Sequence, residues 1–167
     1  MKSEKATFGM GCFWSPQVLF DKLPGVEKTE VGYMGGDEKK YPKPTYQQVC
    51  SNQTGYAEVI QITFNPKKIS YQQLLKVFWE NHNPTTMNRQ GPDIGSQYRS
   101  VIFYHNAKQK ELAEKTKKEQ QKIWDKKKSL FGRKKVVTQI LPAVTFFPAE
   151  EYHQKYLEKR GKTSCHI

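Results

Sequence analysis

The chain has 167 residues, a length that predicts one domain with a substantial buried core. Its formal net charge of +12 and its isoelectric point near 9.6 raise the hypothesis of a polyanionic partner such as nucleic acid. The odd number of cysteines, three, argues against a disulfide framework, and no Cys/His spacing is typical of a zinc site. The sequence shows neither a signal peptide nor a membrane-spanning run. We therefore expect a cytoplasmic protein.

The predicted elements begin with a short strand that runs into glycines. The apolar run 6–10 precedes Gly11 and Cys12, and apolar residues at helical spacing follow the cysteine. Further strands are predicted over 26–33 and 58–64, with a short helix over 45–50 between them. Ser70 is a plausible N-cap for an amphipathic helix over 71–80.

The second half of the chain alternates in the same way. A long loop over 82–98 precedes a strand over 100–105, a lysine-rich helix over 107–127 and a strand over 136–141. Residues 143–147 are expected to continue the sheet and 149–159 to form a helix. The fold class is therefore α+β: a single mixed β-sheet packed by helices, in a two-layer sandwich with a ferredoxin-like core. We expect one domain over 1–167, with a flexible C-terminal tail from about residue 160.

The positive charge is concentrated in one segment. Residues 108–135 contain 12 Lys and Arg against 4 Asp and Glu, a net +8 of the total +12. A solvated helix face is the favoured interpretation, because no nucleic-acid-binding motif accompanies the charge. Attraction to polyanions at low salt is still expected.

Cys12 has two interpretations from the sequence. At the first turn of a helix, the positive end of the helix dipole would favour the nucleophilic thiolate. The adjacent rings of Phe13 and Trp14 could wall an apolar pocket. Alternatively, Cys12 is a small buried hydrophobe, as most cysteines in cytosolic proteins are.

Other groups are also ambiguous at this stage. Glu58 is either a buried general acid or, more simply, a strand-edge glutamate facing water. Cys50 is expected to be a buried, inert thiol, whereas Cys165 lies in a polar tail that suits attack on an oxidised sulfur but is equally explained as a chance surface cysteine. Tyr46 and Tyr98 lie where a phenol could bind a ligand. His153 receives no catalytic role from its spacing.

A family resemblance follows from these segments taken together. The sequence 11–14, Gly-Cys-Phe-Trp, resembles the signature of the A-type peptide methionine sulfoxide reductases, and the similarity runs from Thr7 to about Leu157. It also covers these stretches in the family's order: Leu23–Val26, Gly32–Gly36, Pro44–Ser51, Thr54–Glu58, Leu75–His82, Asp93–Ser100, Phe146–Glu150 and His153–Leu157.

The resemblance implies a role for each matching residue. Cys12 would attack the sulfoxide sulfur and become a sulfenic acid, and Glu58 would protonate the sulfoxide oxygen. The remaining implied roles are an apolar wall from Phe13 and Trp14, hydrogen bonds to the oxygen from Tyr46 and Tyr98, and contacts to the substrate backbone from Asp93. Cys165 would then condense with the sulfenic acid to give a Cys12–Cys165 disulfide.

The resemblance also implies partners. Thioredoxin would reduce the disulfide, and the substrates would be methionine-S-sulfoxide in proteins and as the free amino acid. We expect a monomer that uses no metal or organic cofactor and has no specific nucleic acid or membrane partner. The sequence departs from the family at Tyr56, where many members have His, and in its short tail, which ends two residues after Cys165. A thiol peroxidase and a nucleic-acid-binding module remain the alternatives.

Overall fold

A computed structural model describes residues 2–127 and 132–164. The first half contains β1 (Glu4–Met10), α1 (Trp14–Asp21), β2 (Val26–Met34), α2 (Tyr46–Cys50), β3 (Ala57–Phe64) and α3 (Tyr71–Glu80). The second half contains β4 (Arg89–Gln90), β5 (Asp93–Ile94), β6 (Ser100–Tyr104), α4 (Ala107–Lys126), β7 (Gln139–Pro142) and β8 (Phe147–Pro148). Three short 3-10 turns cover Ser96–Tyr98, Glu151–His153 and Glu158–Arg160.

Six of these strands form one mixed sheet in the order β7-β6-β1-β3-β2-β8. The pairs along it are antiparallel except β6 with β7, which is parallel and is connected through α4. Strands β4 and β5 form a separate small hairpin. The α+β class with a mixed sheet, predicted from the sequence, is confirmed.

The helices pack on one face of the sheet. Phe8, Ile60 and Ile102 lie opposite one another on adjacent strands, so their side chains share that face. They form the main core with residues of the covering helices, among them Phe20 of α1, Leu74 and Phe78 of α3, and Ala113 of α4. The other face carries a smaller cluster around Val59 and Phe103, against which Ala143 and Phe146 pack.

Reciprocal side-chain caps begin helices α2 and α3, and the one at Ser70 was predicted. Ser70 caps α3 as expected: its hydroxyl accepts from the Gln73 backbone N–H at 3.2 Å, and the Gln73 side chain accepts from the Ser70 N–H at 2.8 Å. Thr45 and Gln48 form the same reciprocal pair at the start of α2. Each arrangement satisfies backbone donors that the first helical turn leaves unpaired.

Several sequence-based boundaries are wrong. The predicted helix over 149–159 is instead two 3-10 turns, and Lys155 between them has a left-handed φ of 52°. Of residues 143–147, which were expected to continue the sheet, only Phe147 lies in a strand: it begins β8, which pairs with β2 at the opposite edge of the sheet from β7. The strand predicted over 136–141 is Gln139–Pro142, and the loop over 82–98 contains the β4–β5 hairpin and a 3-10 turn.

Within the described ranges, no helix is both long and apolar enough to cross a membrane. The same ranges hold no group of three or more His, Cys, Asp or Glu side chains that could hold a metal ion.

Candidate active site

Strand register brings the predicted site residues to one end of the sheet. The end of β1, at Met10, pairs with Ser100 at the start of β6, so Tyr98 lies beside the turn that follows β1. On the other side of β1, β3 begins with Ala57 and Glu58, and Glu58 pairs with Tyr33 near the end of β2. Residues far apart in sequence therefore converge around Cys12.

A tight turn carries Cys12 from β1 into α1. Gly11 has a φ of 95°, in the region that favours glycine, and a Cβ at this position would lie 2.7 Å from Cγ of Gln90. Helix α1 begins at Trp14 with Phe13 as its N-cap, so Cys12 precedes the helix instead of lying in its first turn as predicted. Cys12 is a half-buried, reduced thiol.

Glu58 is buried, which corrects the simpler interpretation that it faces water. It is 1% exposed, since its pairing with Tyr33 turns it to the helix-covered face that also carries Ile60. Its Oε2 accepts a hydrogen bond of 3.2 Å from the backbone N–H of Phe13. This bond places the carboxyl group next to the residue that follows Cys12.

Two phenols complete the polar part of the site. Burial raises the pKa of Tyr98, and Glu58, Cys50, Asp93 and Cys12 in their ionised forms raise it further. Burial likewise raises the pKa of Tyr46, with added effects from a hydrogen bond to Cys50 and from the charge of Glu58. Both phenols therefore stay protonated, as hydrogen-bond donors, at neutral pH.

Aromatic rings form the apolar part. Phe13 is buried, with its ring centroid 5.9 Å from that of Tyr33. Trp14 stacks on Tyr156 at a centroid distance of 3.8 Å and an interplanar angle of 8°, and the Arg160 guanidinium lies 3.7 Å from the Tyr156 centroid. The two rings next to Cys12 are thus held rigidly by neighbours.

A cavity of about 390 Å³ opens beside Cys12. One wall is α1, through Ser15, Pro16 and Leu19, and the opposite wall is the β4–β5 hairpin, which includes Asp93. Gln90 fixes that hairpin: its Oε1 accepts from the Asn83 N–H at 2.9 Å, and its Nε2 donates to the Asn83 carbonyl at 3.0 Å. Asp93 is therefore held on the same cavity as Cys12.

Comparison with known proteins shows the family of the chain. Residues 4–167 match the family described as "Peptide methionine sulfoxide reductase". The chain belongs to that family. It is 52% identical to the peptide methionine sulfoxide reductase MsrA of Geobacter sulfurreducens over 164 residues, which cover 97% of this chain and 94% of the relative.

Solved structures of the family agree in fold. Mxr1 of Saccharomyces cerevisiae in its reduced form superposes with a TM-score of 0.88 at 37% identity, covering 98% of this chain and 89% of the other. The same yeast protein in complex with Trx2 gives a TM-score of 0.62 at 28% identity, covering 93% of this chain and 85% of the other.

The structure thus places Phe13, Glu58, Asp93 and Tyr98 near Cys12. Cys165, the predicted resolving thiol, lies outside the described residues. The described part of the tail ends with Thr163 and Ser164, and both line the cavity beside Cys12.

Four residues that the sequence did not assign to the site contact the predicted site residues: Cys50, Tyr33, Glu150 and His153. Cys50 is half-buried and interacts with Tyr46, and its pKa is raised by burial and by the charges of Glu58 and Glu150. Tyr33 and Glu150 hydrogen-bond each other at 3.1 Å, and His153 accepts a 3.1 Å hydrogen bond from the Trp14 indole. The family motif that contains Glu150 and His153 could have pointed to a role for these two residues, but the spacing within the motif does not predict their contacts.

Proposed function

We propose that the protein reduces methionine-S-sulfoxide to methionine, both free and in proteins, as an oxidative-damage repair enzyme. The observation that carries the proposal is the 3.2 Å hydrogen bond from the Phe13 N–H to Glu58, because it sets a buried carboxyl group beside the thiol of Cys12. The names of the relatives and the position of Cys12 and Asp93 on one cavity support it.

The first step needs a nucleophile and an acid together. Cys12 as thiolate attacks the sulfoxide sulfur while Glu58 supplies a proton to the oxygen, since an unprotonated sulfoxide oxygen leaves poorly. The oxygen ends on Cys12, which becomes a sulfenic acid as the substrate sulfur is reduced to the thioether. Burial of a carboxyl group favours its protonated form, which is the form this role requires.

The other residues select the substrate. Phe13 and Trp14 pack against the methyl group, and the protonated phenols of Tyr46 and Tyr98 donate to the sulfoxide oxygen. A thioether lacks that oxygen and would leave both donors unpaired, so the product is released in preference to the sulfoxide. Asp93 on the hairpin binds the substrate backbone at the cavity mouth.

Recycling uses the C-terminal tail. The Cys165 thiol condenses with the Cys12 sulfenic acid, so that a Cys12–Cys165 disulfide forms and water leaves. A thioredoxin dithiol then reduces the disulfide by thiol–disulfide exchange. The position of Thr163 and Ser164 on the Cys12 cavity and the yeast relative solved in complex with Trx2 support these assignments.

The proposal extends to the state and place of the protein. We propose that the whole chain is one monomeric catalytic domain that works in the cytoplasm, where thioredoxin keeps thiols reduced.

The test is an assay of both sulfoxide epimers with dithiothreitol and, separately, with thioredoxin. We expect turnover of the S epimer, none of the R epimer, and no activity in Cys12→Ser. Cys165→Ser should turn over with dithiothreitol but fail with thioredoxin. Turnover of peroxide in place of sulfoxide would instead identify a thiol peroxidase and refute the proposal.

A further inference from the structure

The carboxylate of Glu150 joins three separate elements around the site. Its Oε1 accepts a 2.9 Å hydrogen bond from the backbone N–H of Tyr46, the first residue of α2. Its Oε2 accepts a 3.1 Å hydrogen bond from the Tyr33 hydroxyl on β2. Burial raises the pKa of Tyr33 and the charge of Glu150 raises it further, so the phenol remains the donor.

The same Oε2 faces the buried ring of His153. The side chain of His153 is 2% exposed, and its Nε2 lies 3.5 Å from Oε2 of Glu150. Within the described residues that nitrogen makes no hydrogen bond, and the Glu150 carboxylate is the acidic group that lies within ion-pair distance of it. Glu150 and His153 are also joined through the backbone, since the His153 N–H donates to the Glu150 carbonyl at 2.9 Å.

The hydrogen bond from Trp14 identifies the tautomer of His153. The indole N–H can only donate, so Nδ1 of His153, 3.1 Å away, is an acceptor without a proton. A neutral imidazole then carries its proton on Nε2, which is the nitrogen facing Glu150. Burial lowers the pKa of His153 and Glu150 opposes that effect, with neutral imidazole the favoured form at neutral pH.

His153 is in turn the centre of the aromatic part of the site. Its ring centroid lies 4.4 Å from that of Tyr46, 5.3 Å from that of Phe13 and 5.8 Å from that of Trp14. These are the proposed oxygen donor and the proposed methyl-binding wall. A change in the orientation or tautomer of His153 would therefore alter its packing against all three rings.

We propose that Glu150 is a positioning residue for sulfoxide binding: its carboxylate holds His153 as the Nε2–H tautomer, and that tautomer accepts from Trp14 and fixes the indole at the substrate. The inference rests on the function proposed above. Glu150 acts through His153 and does not itself touch the substrate.

Glu150→Gln tests the chemistry with little change in volume. An amide oxygen still accepts from the Tyr46 N–H, but the amide NH2 then faces the Nε2–H of His153, donor against donor. The imidazole relieves this conflict by moving its proton to Nδ1, and the Trp14 N–H loses its acceptor. We expect KM for methionine-S-sulfoxide to rise about tenfold with kcat within about twofold, because the wall binds substrate and transition state alike.

Glu151→Gln is the matched control, since it makes the same chemical change one residue away. The Glu151 side chain is 92% exposed and its charge partner Lys159 is 4.0 Å away, so its KM should equal that of the wild type. A nitrogen-15 NMR spectrum gives a second readout: the Nδ1 and Nε2 shifts of His153 should exchange character in Glu150→Gln and stay unchanged in Glu151→Gln.

A double-mutant cycle with Trp14→Phe tests whether Glu150 acts on substrate binding through His153 and the Trp14 indole. Phenylalanine has no N–H, so Glu150→Gln should add little to the KM of Trp14→Phe. Should Glu150→Gln fail to fold, Glu150→Asp applies the same test, because a carboxylate shortened by one methylene is withdrawn from His153. Additive effects of the two substitutions on KM, an unchanged KM in Glu150→Gln or an unchanged His153 tautomer would overturn the inference. Absence of sulfoxide reduction by the wild-type protein would instead refute the proposed function.

Discussion

His82 makes the stability of this protein depend on pH. Its side chain is half-buried, with Nδ1 2.6 Å from the carbonyl of Phe78 and Nε2 2.7 Å from the Ser100 hydroxyl. Because the carbonyl can only accept, Nδ1 carries the proton and Nε2 accepts from Ser100. Burial lowers the pKa of His82 from 6.5 to about 4.

The sign of the effect follows from proton uptake. Above pH 6.5 the ring is neutral in both the folded and the unfolded state, so it adds no pH dependence. Between pH 6.5 and 4, His82 is protonated in the unfolded state but stays neutral in the folded state. The free energy of unfolding therefore falls by about 1.4 kcal/mol for each unit by which the pH is lowered. The total cost to the folded state at pH 4 is about 3 kcal/mol.

Urea unfolding of the wild type and His82→Asn between pH 7 and pH 4 measures this contribution. The free-energy difference between the two proteins should shrink by about 3 kcal/mol as the pH falls. His105, whose pKa burial also lowers, is present in both, and its effect cancels in the difference. A difference that does not vary with pH would refute the reasoning. Protonation of His82 would also affect the candidate active site, because the next residue, Asn83, hydrogen-bonds Gln90 of the β4–β5 hairpin.

Two further predictions concern the site. Glu58→Gln should lower kcat on the order of a hundredfold with little change in KM. It should also abolish the loss of rate at high pH that deprotonation of the Glu58 carboxyl group causes. An unchanged kcat and an unchanged pH–rate profile would show that Glu58 is not the general acid. Gly11→Ala should lower Tm by roughly 5 °C, because of its φ of 95° and the 2.7 Å approach to Gln90. Gly91→Ala, with a φ of 57° and no atom within 4 Å of the added Cβ, is the control and should lower Tm by less.

Local patterns in the sequence predict the central strands and capped helices well. Alternation of apolar residues identifies β3, and Ser70 marks the start of α3, since both features depend on neighbouring residues in the chain. The sequence cannot show from alternation alone whether Glu58 faces water or the covered side. The pairing of Glu58 with Tyr33 and the covering helix α1 decide that, and both are long-range features.

The C-terminal segment shows where local reasoning fails. Tyr152, Tyr156 and Leu157 have helical spacing, but tertiary hydrogen bonds override it. The side chain of Gln154 bonds both the N–H and the carbonyl of Val31, at 3.0 and 2.8 Å, as a neighbouring strand would. Lys155 then turns through a left-handed φ, and its N–H donates to Gln17 at 2.6 Å. Contacts across more than a hundred residues thus position Glu150 and His153, which no local pattern encodes.

The most direct test of Cys12 as the sulfoxide-reducing thiol is a single turnover without any reductant. Reduced wild-type protein mixed with excess methionine-S-sulfoxide should form about one methionine per molecule and lose two thiols, as a Cys12–Cys165 disulfide forms. Cys165→Ser should form the same methionine and leave a sulfenic acid on Cys12 that dimedone labels in a mass spectrum. Methionine formation by Cys12→Ser, or dimedone labelling at Cys50 in place of Cys12, would contradict the account.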